Sequence, residues 1–167
     1  MSVIEKAGFL EFKLRKLTTP PARRLFVTPE IMNLFDGVDN QPEMSPTRCS
    51  AMAERFVAGH VMFVSRQMGD KRPNLERLER VDEIWALCVR EPKPGWRFFG
   101  RFMHQDVLVL QAAHSRTFLG ALWHYEQKAK EIIPAWEKAF PLLPPVSGDK
   151  IEDYLSGEMW RDLDAPE

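Results

Sequence analysis

Three arginines and a histidine stand where consecutive β-strands can gather them. Arg90 closes an apolar run over 84–89, Arg97 opens a second run over 96–103, and His114-Ser115-Arg116 closes a third over 107–113. The links between the runs are Glu91-Pro-Lys-Pro-Gly95 and His104-Gln105-Asp106. Links this short favour antiparallel neighbours, a β-meander. In a meander the end of one strand lies beside the start of the next, so Arg90, Arg97, His114 and Arg116 are expected at one end of the sheet. Arg101, four residues after Arg97, falls on the same face by strand alternation. Lys93, in the hairpin turn, leans over the same region. Residues 84–120 hold five basic side chains against only Glu91 and Asp106. Guanidiniums grouped without carboxylates repel one another, so an anion is expected to supply the missing charge. Phosphate fits, because guanidinium binds it bidentately. The structural alternative pairs these arginines with Glu83, Glu91, Glu126 or the acidic C-terminal residues.

An imidazole beside bound phosphate can move a proton near neutral pH. His114 is best placed for this. His104 falls at the opposite sheet end, and His124, on the helix after the sheet, can approach the site. Recognition of single-stranded RNA also needs flat faces for stacking. Trp96, beside the turn, is the expected exposed platform, while Trp85, Phe98, Phe99 and Phe102 read as core.

Other chemistry is poorly represented. The chain has no GxxxxGK[ST] loop, no GxGxxG and no GxSxG. Its four histidines, at 60, 104, 114 and 124, make no HxH or HxxxH spacing, and Cys49 and Cys88 make no CxxC pair. No metal site and no cofactor are expected. Cys88 within an apolar strand and Cys49 on a buried helical stripe are poor nucleophiles, because burial disfavours the thiolate.

The surrounding elements follow from period and punctuation. Thr28-Pro29 and Ser45-Pro46 are each a capping hydroxyl followed by proline, the pattern of a helix start. The first helix carries Ile31, Leu34 and Phe35. The second carries a stripe from Cys49 through His60 to Phe63 and is expected to end by Gly69. Residues 70–80 read as a charged connector. Residues 120–140 read as a helix that Pro134 kinks or splits, and a last short helix is expected over 149–159. The expected fold is α+β: N-terminal helices on a small antiparallel sheet of three or four strands, then a C-terminal helix. Three parts are expected: an arm over 1–24, the α+β domain over 25–140, and a Pro-rich, acidic extension over 141–167.

Length and charge bound the class. One domain of 167 residues can bury a core without disulfides. The net charge of −1 hides a local excess of +4 over residues 1–24 and −5 over 141–167. No apolar run approaches the roughly 20 residues of a membrane span, and the N-terminal residues carry charges throughout. A cytoplasmic protein with reduced thiols and no membrane partner is expected.

The order E-I-W-x-L-x-V-R, a turn, W-R-F-F-G-R-F, an apolar strand and a helix resembles the RelE/ParE toxin superfamily. The similarity is greatest to its phage-derived Gp49-like (HigB-like) branch. Glu83, Trp85, Leu87 and Arg90 stand at its E-L-R strand, and Trp96-Arg97-Phe98-Phe99 at its Y-R-v-f strand. Val107 to Leu110 match its third strand, with Arg116 alone where the family has a lysine pair. The resemblance implies a RelE-like fold and metal-free cleavage of mRNA, commonly on ribosome-bound message, by attack of a ribose 2′-hydroxyl. It also implies an antitoxin protein as partner. Arg97, Arg90 and His114 would be the catalytic groups, with Arg116, Arg101, Lys93 and Trp96 holding RNA. The alternative is a non-catalytic nucleic-acid- or protein-binding module on the same fold.

Overall fold

A computed structural model of the chain describes residues 1–15, 20–65, 72–78, 82–157 and 159–161. Its centre is the expected meander. β5 (Trp85–Val89), β6 (Trp96–His104) and β7 (Val107–Ser115) pair antiparallel, with Cys88 opposite Arg97 and Arg97 opposite His114. Around it the sheet is much larger than the sequence suggested. Among the described residues it has eight strands, in the order β1-β2-β7-β6-β5-β4-β3-β8. The additions are β1 (Leu10–Phe12), β2 (Arg24–Val27), β3 (Met62–Ser65), β4 (Leu75–Arg77) and β8 (Met159–Arg161). β2 runs parallel to β7, and β3 runs parallel to both β4 and β8. The small antiparallel, RelE-like sheet is therefore replaced by a mixed one. β1 and β2 fall in runs, 9–17 and 25–27, that the sequence allows as short strands or an extended arm; β3, β4 and β8 have only three or four residues each, too few to show an alternating period.

The alternation of β5–β7 sorts side chains onto two covered faces. On the front, Trp85, Leu87, Val89, Trp96, Phe98, Phe102, Leu108 and Leu110 form the largest core. It is covered by α2 (Pro29–Phe35), α3 (Pro46–Val57) and the 3-10 turn Ile151–Asp153 with Tyr154 and Leu155. Both helix starts behave as their sequences require: Thr28 Oγ1 accepts from Ile31 N at 3.2 Å and Ser45 Oγ accepts from Arg48 N at 3.3 Å. The second helix stops earlier than expected. Gly59, at φ +76°, ends it, and Met62 to Ser65 continue as β3, so His60 is exposed rather than on a buried stripe.

On the back lie α1 (Val3–Lys6), α4 (Arg116–Leu119), α5 (Leu122–Lys130) and α6 (Ile132–Ala139). The expected helix over 120–140 is thus two segments, α5 and α6, preceded by the short α4. The break falls at Glu131, and Pro134 sits in the first turn of α6, where its missing N–H costs no helical bond. The N-terminal residues Ile4 and Phe9 pack with Phe26, Trp136 and Phe140, and the expected helix over 149–159 is only the 3-10 turn followed by β8. Residues 16–19, 66–71, 79–81, 158 and 162–167 lie outside the described residues. Among them are Leu17, Gly69, both ends of the charged connector and four of the seven acidic residues of the C-terminal extension. Among the described residues no helix is long and apolar enough to cross a membrane.

Candidate functional site

The back face at the Trp96–Ser115 end of the sheet holds most of the chemistry. Arg97 and His114 are register neighbours there. Arg97 is only 5% exposed, and its Nη1 donates to the adjacent Trp96 carbonyl at 3.0 Å. Arg97 and Arg90 both act electrostatically on the Cys88 thiol, and Arg97 acts also on the Tyr125 hydroxyl. Arg90 Nη2 donates to Pro73 O at 3.0 Å, and its buried Nε–H has no acceptor. Arg116 lies with its guanidinium carbon 5.3 Å from the centre of the Tyr125 ring and donates to Gly120 O at 2.7 Å. None of these three arginines forms an ion pair among the described residues.

Glu76 on β4 supplies charge that the sequence does not announce. It is buried, accepts from the Tyr125 hydroxyl at 3.2 Å, and acts on Cys88 and Tyr125 with the sign opposite to Arg97. A buried acid and a buried guanidinium therefore share the layer beneath α5. Burial, then Glu76, pushes the Cys88 thiol up to about 12, and burial alone does the same for Cys49. Neither cysteine forms a disulfide and both are buried. Neither is a thiolate near neutral pH.

Two expected RNA contacts, Trp96 and Arg101, are not at this site. Trp96 faces the front core, where its Nε1 donates to Pro42 O at 3.0 Å, so it is no stacking platform. The reason is parity: Trp96 and Arg97 are adjacent on a strand and must point to opposite faces. Arg101 shares the face of Arg97 but lies about 13 Å along the strand. There it donates to Asp82 O at 2.7 Å. Lys93 is exposed in the β5–β6 turn. His104 is exposed at the opposite end of the sheet.

Outside the arginine layer the surface carries a second group of residues. The Phe118 ring on α4 is 51% exposed. His114 stacks on it at 5.2 Å with an interplanar angle of 25°, and His124 meets it edge-on, also at 5.2 Å. Lys128 Nζ lies 5.7 Å from the same ring centre. Ser115 builds this corner: its Oγ accepts from Phe118 N at 3.0 Å and starts α4 where β7 ends. His124 and Lys128, four apart on α5, share one helix face. A neighbouring Trp123, 70% exposed, lies 5.5 Å from His124.

The two histidines differ in setting. His124 Nδ1 lies 3.1 Å from Leu119 O; a carbonyl can only accept, so Nδ1 carries the proton and Nε2 is left for chemistry. His114 is held below the ordinary histidine value by burial, then by the positive charge of Lys128, with Glu131 opposing and His124 adding to the depression. It is neutral at pH 7 and can accept a proton. Lys128 pairs with Glu131 at 3.1 Å. That pair is partly exposed and weak, so an incoming phosphate can compete for the ammonium. The one carboxylate bonded to α4 among the described residues is Glu43, which accepts from Thr117 Oγ1 at 2.7 Å. Two imidazoles and an ammonium thus lie around one exposed ring, with a second exposed aromatic, Trp123, beside His124.

Phe118, Trp123 and Lys128 were not foreseen as site residues. The spacing H-S-R-x-F followed by W-H-x-x-x-K was the available signal, but it reads as a site only once α4 and α5 are known to fold back over the end of β7. No protein-family model matches this chain, and neither a curated protein nor a solved structure matches it.

Proposed function

We propose that the chain is an endoribonuclease that cleaves single-stranded RNA by transphosphorylation at the His114–Phe118–His124 surface. The observation that carries this is the placement of two imidazoles on one exposed phenyl ring with Lys128 beside it. Phe118 and Trp123 offer stacking faces for bases, a contact every base can make. Neutral His114 takes the proton from a ribose 2′-hydroxyl as the 2′-oxygen attacks phosphorus. The bond from phosphorus to the 5′-oxygen breaks, and protonated His124 delivers its Nε2 proton to that oxygen. The products are a 2′,3′-cyclic phosphate and a free 5′-hydroxyl. Lys128 and Arg116 stabilise the charge that grows on the phosphoryl oxygens. Arg97, buried beneath them, adds field rather than contact. Nothing in this constellation depends on the RelE/ParE resemblance, whose small antiparallel sheet this chain does not have.

The test is incubation of the purified full chain with a labelled single-stranded RNA in excess EDTA. Cleavage is expected, with cyclic-phosphate ends, and a substrate carrying a single 2′-deoxy position is expected to resist cutting at that position. An intact RNA, or cleavage at the 2′-deoxy position, would contradict the proposal. Saturable binding without cleavage would point instead to the non-catalytic module.

A further inference from the structure

A cavity of about 380 Å³ opens at the far end of the back face from the histidines, between α6, Arg101 of β6 and the proline-rich segment 141–145. Its volume lies in the range of small-molecule sites. One wall is apolar, made by Trp136, Phe140, Leu142 and Leu143. The segment over it is held at both ends: Trp136 Nε1 donates to Leu143 O at 2.8 Å, and Val146 N donates to Phe102 O at 2.8 Å. Pro141, Pro144 and Pro145 stiffen it further. Next to the Leu143 anchor, Leu142 is 90% exposed at the mouth of the cavity.

The charged groups give the cavity its chemistry. Arg101 lines it while only 4% exposed, and its buried Nε–H has no acceptor. One of its five donors is satisfied by Asp82 O at 2.7 Å. A guanidinium this buried normally has its donors met. The Asp82 carboxylate is 3.9 Å from it but turned largely to solvent, and Glu137 is exposed on α6 at the same opening. Three carboxylates act on this buried cation, Asp82, Glu83 and Glu137; Glu83 is buried and held by Arg77 and Tyr154, which leaves Asp82 and Glu137 at the rim, where they repel a simple anion. A simple cation is equally disfavoured, because Arg101 repels it. A ligand with both charges on one small head satisfies Arg101, Asp82 and Glu137 together.

We propose that this cavity binds a small apolar α-amino acid, its carboxylate on the Arg101 guanidinium, its ammonium toward Asp82 and Glu137, and its side chain against Trp136, Phe140 and the Leu142–Leu143 pair. This site shares no residue with the histidine surface, so it stands whether or not the chain cleaves RNA.

Isothermal titration of the full chain with L-phenylalanine and L-leucine tests it, with 3-phenylpropionate and 2-phenylethylamine as analogues lacking one charge each. Saturable one-site binding of L-phenylalanine or L-leucine is expected, with each analogue about tenfold weaker than L-phenylalanine or worse. Arg101→Met is expected to abolish binding. Because Arg101 is buried and its loss can disturb folding, Glu137→Gln on the exposed helix face is the second variant. It is expected to keep the wild-type melting temperature and to weaken binding about threefold or more. Absence of saturable heat with either amino acid, analogues that bind as tightly as L-phenylalanine, or unchanged affinity in Glu137→Gln would each overturn the proposal.

Discussion

Replacing His114 with alanine is expected to slow RNA cleavage by about 10²-fold or more, the usual worth of a positioned general base. His124→Ala is expected to cost a similar factor, since it removes the proton donor of the same step. The double variant should fall little further, because residues that act as a unit are not additive. RNA affinity, read by fluorescence anisotropy, should change far less than rate in either single variant, as stacking on Phe118 and Trp123 and the charges of Lys128 and Arg116 remain. Lys128→Ala is expected to lose both: weaker, less salt-dependent binding together with a loss in rate. A histidine variant that loses binding and rate equally would mean that the imidazoles hold RNA and do no proton transfer. Both histidines are only partly buried, so thermal melting of the variants should stay close to wild type.

The second large effect is on stability. Gly95→Ala is expected to destabilise the fold by on the order of 3 kcal/mol, lowering the melting temperature by about 10 °C for a chain of this size. Gly95 sits at φ +83°, and a Cβ there would lie 2.1 Å from the Val89 carbonyl oxygen and 2.6 Å from the Arg90 Cα. Both are backbone atoms of β5 and its end, so no side chain can move aside. The Gly95 carbonyl also accepts from Arg116 N at 2.8 Å. Strain in this turn is therefore passed directly to the start of α4, which carries Phe118. Gly157 is the matched control: it has the same φ of +83°, and a Cβ added there would meet nothing within 4 Å. Gly157→Ala should cost about 1–2 kcal/mol, the conformational part alone. Equal melting temperatures for the two variants would remove the collision as the cause.

How much of this was legible in the sequence depended on length of pattern. The meander could be read because β6 and β7 have nine residues each and β5 has five, and two short links force them antiparallel. The helix starts at Thr28-Pro29 and Ser45-Pro46 could be read because a capping hydroxyl before proline is a local signal. β3 and β4 could not, since a strand of three or four residues takes its identity from its neighbours. The pairing of Arg97 with His114 follows from the link lengths, and so does their shared face. The buried state of Arg97 does not, because it depends on α5 covering the sheet and on Glu76 arriving from a strand hidden in the charged connector. Trp96 failed as a platform on parity, which the sequence did contain: a side chain adjacent to Arg97 cannot share its face. His114 and His124 come together only through the fold of α4 and α5 over the end of β7, a tertiary fact with no sequence period.

The pH dependence of kcat/KM for RNA cleavage, measured in EDTA, bears most directly on paired imidazole catalysis. A bell is expected. Its acidic limb should lie below the ordinary histidine value of about 6.5, because burial and Lys128 hold the His114 proton loosely and the base must be free. The profile should lose its bell shape in His124→Ala, which has no proton donor at this position. A rate that climbs steadily with pH, or a bell unchanged in His124→Ala, would contradict two histidines acting on one phosphate.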